Sequence, residues 1–236
     1  MSSLLRRRFL SLSRVHHLLI VMNYQSGFMS LNPRNNLPVV QVVPSNVNLY
    51  YGISPEVINL LLDITDFTQL LNTTQQGAKL DPMDYAECVI GRLHRLLHFA
   101  PVAHQRLMDP LDNLVHVALV ATMTTLMPEY GRNMARYDLL ANHFRGALWT
   151  YAATPERNAS ILLWALFVGF VTVLGDDDHT WLASLVGKVC VYLDLHSWLD
   201  VSSILCRYAW VGVLYDTPGL RLWNMAEGRR YLGGIH

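Results

Sequence analysis

Four times from residue 54 onward the chain sets a small polar residue directly before a proline: Ser54-Pro55-Glu56, Asp81-Pro82, Asp109-Pro110 and Thr154-Pro155-Glu156. The side-chain oxygen of such a residue can accept an amide hydrogen that the first helical turn leaves without a partner. Proline at the first helical position forfeits only an amide that had no partner anyway. Asp84 and Asp112 fall in the first turn of their segments, where a carboxylate meets the positive end of the helix dipole. The apolar runs that follow repeat at three and four rather than at two: Val57, Leu60, Leu61, Ile64, Phe67, Leu70 and Leu71, then Val89, Leu93, Leu96, Leu97 and Ala100.

Further helices are predicted over 110–127, 133–151, 156–174, 179–194, 198–208 and 218–228. Breaks are predicted at Gly77, Pro101, Pro128-Glu129-Tyr130-Gly131, Gly175 and Thr217-Pro218-Gly219. Strand-like alternation occurs only in Val39–Val43, between Pro38 and Pro44. The predicted fold class is all-α, a multi-helix antiparallel array of about seven or eight helices.

The 236 residues can bury a sizeable core, and 52% of them are hydrophobic while only 15% are charged, against about 25% charged in an ordinary soluble domain. That excludes a largely disordered chain. Eighteen cations balance eighteen acids, which excludes both a bulk-charge nucleic-acid binder and an acidic tail. The charge is nonetheless uneven. Residues 1–55 hold Arg6, Arg7, Arg8, Arg14 and Arg34 and no acid, so residues 56–236 carry a net −5. Residues 1–53 are read as a basic, flexible N-terminal arm and 54–236 as the helical domain. The Arg-rich, acid-free start also fits an organelle transit peptide, with the mitochondrion as its implied destination. Cys88, Cys190 and Cys206 are widely spaced, which suits a reducing compartment and argues against a disulfide framework.

Residues 158–175 form an uncharged stretch of 18 residues, with Ile161–Leu174 at its heart. A spanning helix needs about 20 apolar residues, so the stretch is read as a fully buried central helix, and Leu114–Met127 likewise as core. His94 and His98 stand four apart, a spacing that zinc ligands on a helix use. Arg95 follows His94 where a metalloprotease would carry glutamate, and neither Cys88 nor His104 is compelled to complete a set. Of Asp176-Asp177-Asp178, one carboxylate is expected to cap the helix that begins near His179, with the others favouring its N-terminus. No nucleophile elbow, phosphate loop or dinucleotide fingerprint occurs in the chain. No catalytic, cofactor-binding or metal-binding residue is assigned.

Over residues 159–226, Leu163-Trp164, Phe167-Val168-Gly169, Trp181-Leu182, Leu195, Ser197-Trp198, Ile204-Leu205, Tyr208-Ala209-Trp210, Asp216 and Leu222-Trp223 stand in an order that resembles the fungal-specific transcription factor regulatory domain. Upstream, Leu139-Leu140 and Arg145-Gly146-Ala147-Leu148 are compatible with it. In fungal regulators this domain usually follows a zinc binuclear cluster of six cysteines, whereas this chain has three, none before Cys88. The resemblance therefore implies a nuclear regulatory domain without its own DNA-reading module. It could be a truncated regulator, a shortened gene model, or a cofactor for complete relatives. Such a domain would act through a protein partner, itself or a related regulator, with room for a small ligand to be sensed, and with no enzymatic activity, direct DNA binding or membrane contact. A membrane-associated helical protein and a small helical enzyme with an unrecognised site are the rival readings.

Overall fold

The structure is a computed structural model that describes residues 50–74, 81–102, 109–127, 137–152 and 158–233. Three of the proline-marked starts open helices there: α1 (Pro55–Thr74), α2 (Pro82–Phe99) and α3 (Pro110–Thr125). Asp81 accepts from the amides of Met83 and Asp84 at 2.8 and 3.4 Å, and Asp109 from that of Leu111 at 2.9 Å. At the first start the bond runs between helices: the Ser54 amide donates to Asp112 Oδ1 at 2.9 Å, joining the beginnings of α1 and α3. The Thr154 start, the breaks at Gly77 and 128–131, the Val39–Val43 piece and most of the N-terminal arm lie outside the described residues.

The chain continues through α4 (Asp138–Ala152), α5 (Ala159–Thr172), a 3-10 turn at Asp176–Asp178, α6 (His179–Tyr192), α7 (Trp198–Leu205) and α8 (Gly212–Gly233). The fold is all-α, with eight α-helices and no strand among the described residues.

Two helices form the centre, and they are the two most apolar runs. In α3, 14 of 16 residues are buried, and α5 is buried without interruption from Ile161 to Gly169. A helix that is apolar all round must be covered all round. Accordingly α3 packs on α1, α2, α4 and α5, and α5 packs on α3, α4, α6, α7 and α8. No helix among the described residues is long and apolar enough to cross a membrane. The 14 residues of α5 span about 21 Å, short of a hydrocarbon core of about 30 Å.

The predicted break at Thr217-Pro218-Gly219 is corrected, because α8 runs through Pro218. Proline there leaves one helical amide bond unmade, but tertiary contacts hold both flanks. The Asn72 side chain donates to the Trp210 carbonyl at 2.8 Å and accepts from the Gly212 amide at 3.0 Å. The Trp210 indole donates to Asp216 at 2.8 Å, and Tyr215, Leu222, Trp223 and Ala226 are buried. The helix predicted over 198–208 ends at Leu205, and Ser197 and Asp200 form a reciprocal capping box at its start. After α6, Asp194 takes a left-handed φ of 56° while the Leu195 amide reaches back to the Cys190 carbonyl at 2.9 Å.

Candidate interaction surface

Trp164, Phe167, Trp198, Tyr208 and Trp210 meet in one place. Trp164 and Tyr208 pack at 5.6 Å between ring centroids, Phe167 lies 6.0 Å from Trp198 and 6.3 Å from Trp210, and Trp210 lies 5.1 Å from Tyr215. The Trp164 indole donates to the Ala209 carbonyl at 3.1 Å. Trp164, Phe167 and Trp210 are buried, whereas Trp181 and Trp198 are half-buried. The pattern therefore builds a scaffold, and the chemistry open to a partner lies on the outside.

The three aspartates divide. Asp176 and Asp177 are exposed, while Asp178 is buried and makes no side-chain cap on α6. Instead Asp178 accepts from Arg145 Nε and Nη2, both at 2.8 Å, from the Trp181 indole at 3.0 Å, and from the Gly175 amide at 3.2 Å. The Arg145 hydrogen bond, chiefly, holds its carboxyl near pKa 2 against the opposing effect of desolvation. Arg145 also donates to Asn142 at 2.8 Å. The expected capping carboxylate is thus the pin between α4 and α6.

The same pin orients a surface aromatic pair. Trp181, its indole nitrogen fixed on Asp178, faces Trp149 of α4 at 5.2 Å and 30° between planes. Trp149 is 59% exposed. An exposed tryptophan braced by a second, itself locked by a buried carboxylate, is a rigid aromatic shelf. Rigid aromatics lose little conformational entropy on contact and dominate the energetics of protein interfaces.

On α2, His94 and His98 stack at 6.2 Å and both are exposed. Arg92 and Arg95 beside them reach Asp63 of α1 at 3.2 and 2.5 Å, and the Arg92 guanidinium lies 4.5 Å over the Phe67 ring. Cys88 is half-buried, and His104 lies outside the described residues. No group of three or more His, Cys, Asp or Glu side chains is gathered for a metal among the described residues. A further histidine, His116, is buried and bonded through Nε2 to the Leu96 carbonyl at 2.9 Å. Burial pushes its pKa down, against the raising effect of that bond.

Sequence reasoning missed the Arg145–Asp178 pin because 33 residues separate its members. Comparison with family models, curated proteins and solved structures finds no match.

Proposed function

We propose that this chain is a transcription-regulatory helical domain that acts in the nucleus through protein contacts rather than through catalysis or direct DNA reading. The observation that carries the reading is the Trp149–Trp181 shelf. It places a large, solvent-facing aromatic surface beside a core that Trp164, Phe167 and Trp210 fill. The uneven charge supports the absence of direct DNA binding, since residues 56–236 carry a net −5 that repels phosphate. Sensing of a small ligand belongs to the same proposal, as a means of altering that contact surface.

The test tethers the full chain to an unrelated DNA-binding module upstream of a reporter. The proposal requires a change in reporter output that Trp149→Ala abolishes while leaving the helical circular dichroism intact. A tethered chain that leaves the reporter at baseline overturns it.

A further inference from the structure

The outer face of α2 carries an apolar row at heptad spacing. Met83, Ile90 and Leu97 are 69%, 53% and 37% exposed, while Tyr85, Val89 and Leu96 on the opposite face are buried against the core. Between the apolar positions stand exposed Glu87 and His94, so the row reads 83, 87, 90, 94, 97, the three-and-four alternation of a helix seam. Among the described residues this row is left partly open to solvent, while the other face of the helix is buried.

Two features indicate what covers it. Charge along α2 is polar: Asp84 and Glu87 lie in its N-terminal half, while its C-terminal half holds exposed His94 and His98 and two cations, Arg92 and Arg95, that share the single carboxylate of Asp63 in α1. Laid antiparallel on itself, the helix brings each acidic half against a basic half, twice, by the symmetry of a two-fold contact. The midpoint of the row is Ile90-Gly91. Gly91 is exposed, and a Cβ there would touch nothing within 4 Å. A mid-helix glycine costs about 1 kcal/mol relative to alanine, and no contact among the described residues requires one here. Its value is external, where a missing side chain lets a second helix approach and receive a bulky neighbour.

We infer that the exposed face of α2 is a homodimer seam, with a second copy of this chain docked antiparallel across Ile90 and Gly91. Ile90 of each copy packs over Gly91 of the other, Glu87 falls level with His94 and Arg95 of the other, and Met83 meets the Leu97–His98 end. The inference rests on the reading of the chain as a contact-driven regulator, and it names the surface and partner of one such contact.

The experiment is light scattering on the full chain at micromolar concentration, with variants chosen on exposed positions so that the fold is preserved. Wild type is expected to be a dimer. Ile90→Glu is expected to weaken association about a hundredfold with an unchanged helical circular dichroism spectrum. His94→Glu sets an acid opposite Glu87, and Glu87→Lys sets a cation beside Arg95 of the other copy, at both ends of the seam, and each alone is expected to weaken the homodimer. Mixed together they give one pairing of opposite charges and one native Glu87–His94 pairing, with no like charges facing, so the mixture is expected to form a heterodimer. A wild-type monomer, with the row covered by residues 1–49 or by a different protein, overturns the inference. A dimer indifferent to Ile90→Glu, or a mixture that fails to heterodimerise, does the same. The reporter assay reads separately: an active tethered monomer retains the proposed function without this seam, and an inert dimer retains the seam without that function.

Discussion

Arg145 and Asp178, 33 residues apart in the chain, meet side by side: Nε on Oδ1 and Nη2 on Oδ2, each at 2.8 Å. The carboxylate is only 6% exposed and the guanidinium 35%, so the pair joins a buried anion to a cation that keeps contact with water. The Asp178 carboxyl titrates near 2 in the fold, below an unfolded value of about 3.9. A depressed carboxyl stabilises the fold fully above the unfolded value and ceases to do so as pH falls through the folded one. Acid titration of the melting temperature should therefore show a loss between about pH 4 and pH 2 that Asp178→Asn largely removes. At neutral pH that variant should cost about 1–3 kcal/mol, because Arg145 and the Trp181 indole lose their shared acceptor.

His116 predicts a second pH dependence, at milder acidity. Its folded pKa is pushed below the free value by burial. Below about pH 6.5 the unfolded chain therefore takes up a proton that the folded chain resists, and stability falls as pH drops from neutral. His116→Gln can keep the bond to the Leu96 carbonyl without a titrating ring. It should flatten the stability profile between about pH 7 and pH 5. An equally steep profile in the variant would assign the slope to another group.

Gly219 and Trp198 make a prediction whose sign reverses with background. A Cβ on Gly219 would stand 2.8 Å from the Trp198 ring and 3.3 Å from that of Trp210. In the native protein Gly219→Ala should cost about 1–3 kcal/mol through overpacking. With Trp198→Ala already in place the tighter clash is gone, and alanine's better helix propensity should make the same change neutral or stabilising. Chemical denaturation of the four proteins in the cycle decides it.

The reach of the sequence follows the range of the interactions. Asp81 and Asp109 cap within three residues, so their helices could be read from adjacent letters. The Ser197–Asp200 box was equally local and readable as a serine three residues before an acid. Pro218 was misread because local rules end a helix there, while the clamp that sustains α8 comes from Asn72, about 140 residues earlier. Leu93, Leu96 and Leu97 look like one apolar stripe, yet Leu97 turns outward while Leu96 is buried. Spacing identifies a face, but which edge of it the neighbouring helix covers depends on how α2 settles on α3. The Trp149–Trp181 shelf needed the Arg145–Asp178 pin, and nothing local announces a contact over that separation.

Asp194 offers a stabilising change. Its φ of 56° lies in the left-handed region, which costs a side-chain-bearing residue about 1–2 kcal/mol and costs glycine nothing sterically. Asp194 also pairs with His196 at 2.9 Å, but both side chains are largely exposed and such a pair contributes little. Asp194→Gly should raise stability by about 0.5–1 kcal/mol, the steric relief being offset in part by the freer unfolded chain. A fall in the melting temperature would show that the surface pair matters more than the backbone.

The two tryptophans of the shelf should separate stability from contact. Trp149 is 59% exposed and packs its ring against Trp181, so Trp149→Ala should cost only about 0.5–1.5 kcal/mol, the worth of an aromatic pair. Trp181 is half-buried and its indole hydrogen satisfies Asp178. Trp181→Ala should therefore cost about 2–4 kcal/mol, combining a lost anchor with a cavity at the edge of the core. If the shelf is the contact surface, the cheaper substitution should be the functionally severe one: Trp149→Ala removes the solvent-facing ring and with it the tethered reporter response, in a protein that still melts near the native temperature. Trp149→Phe keeps a flat apolar face over Trp181 and should retain part of the response. A Trp149→Ala protein with the full response would remove the shelf from the function and leave it as a surface brace between α4 and α6.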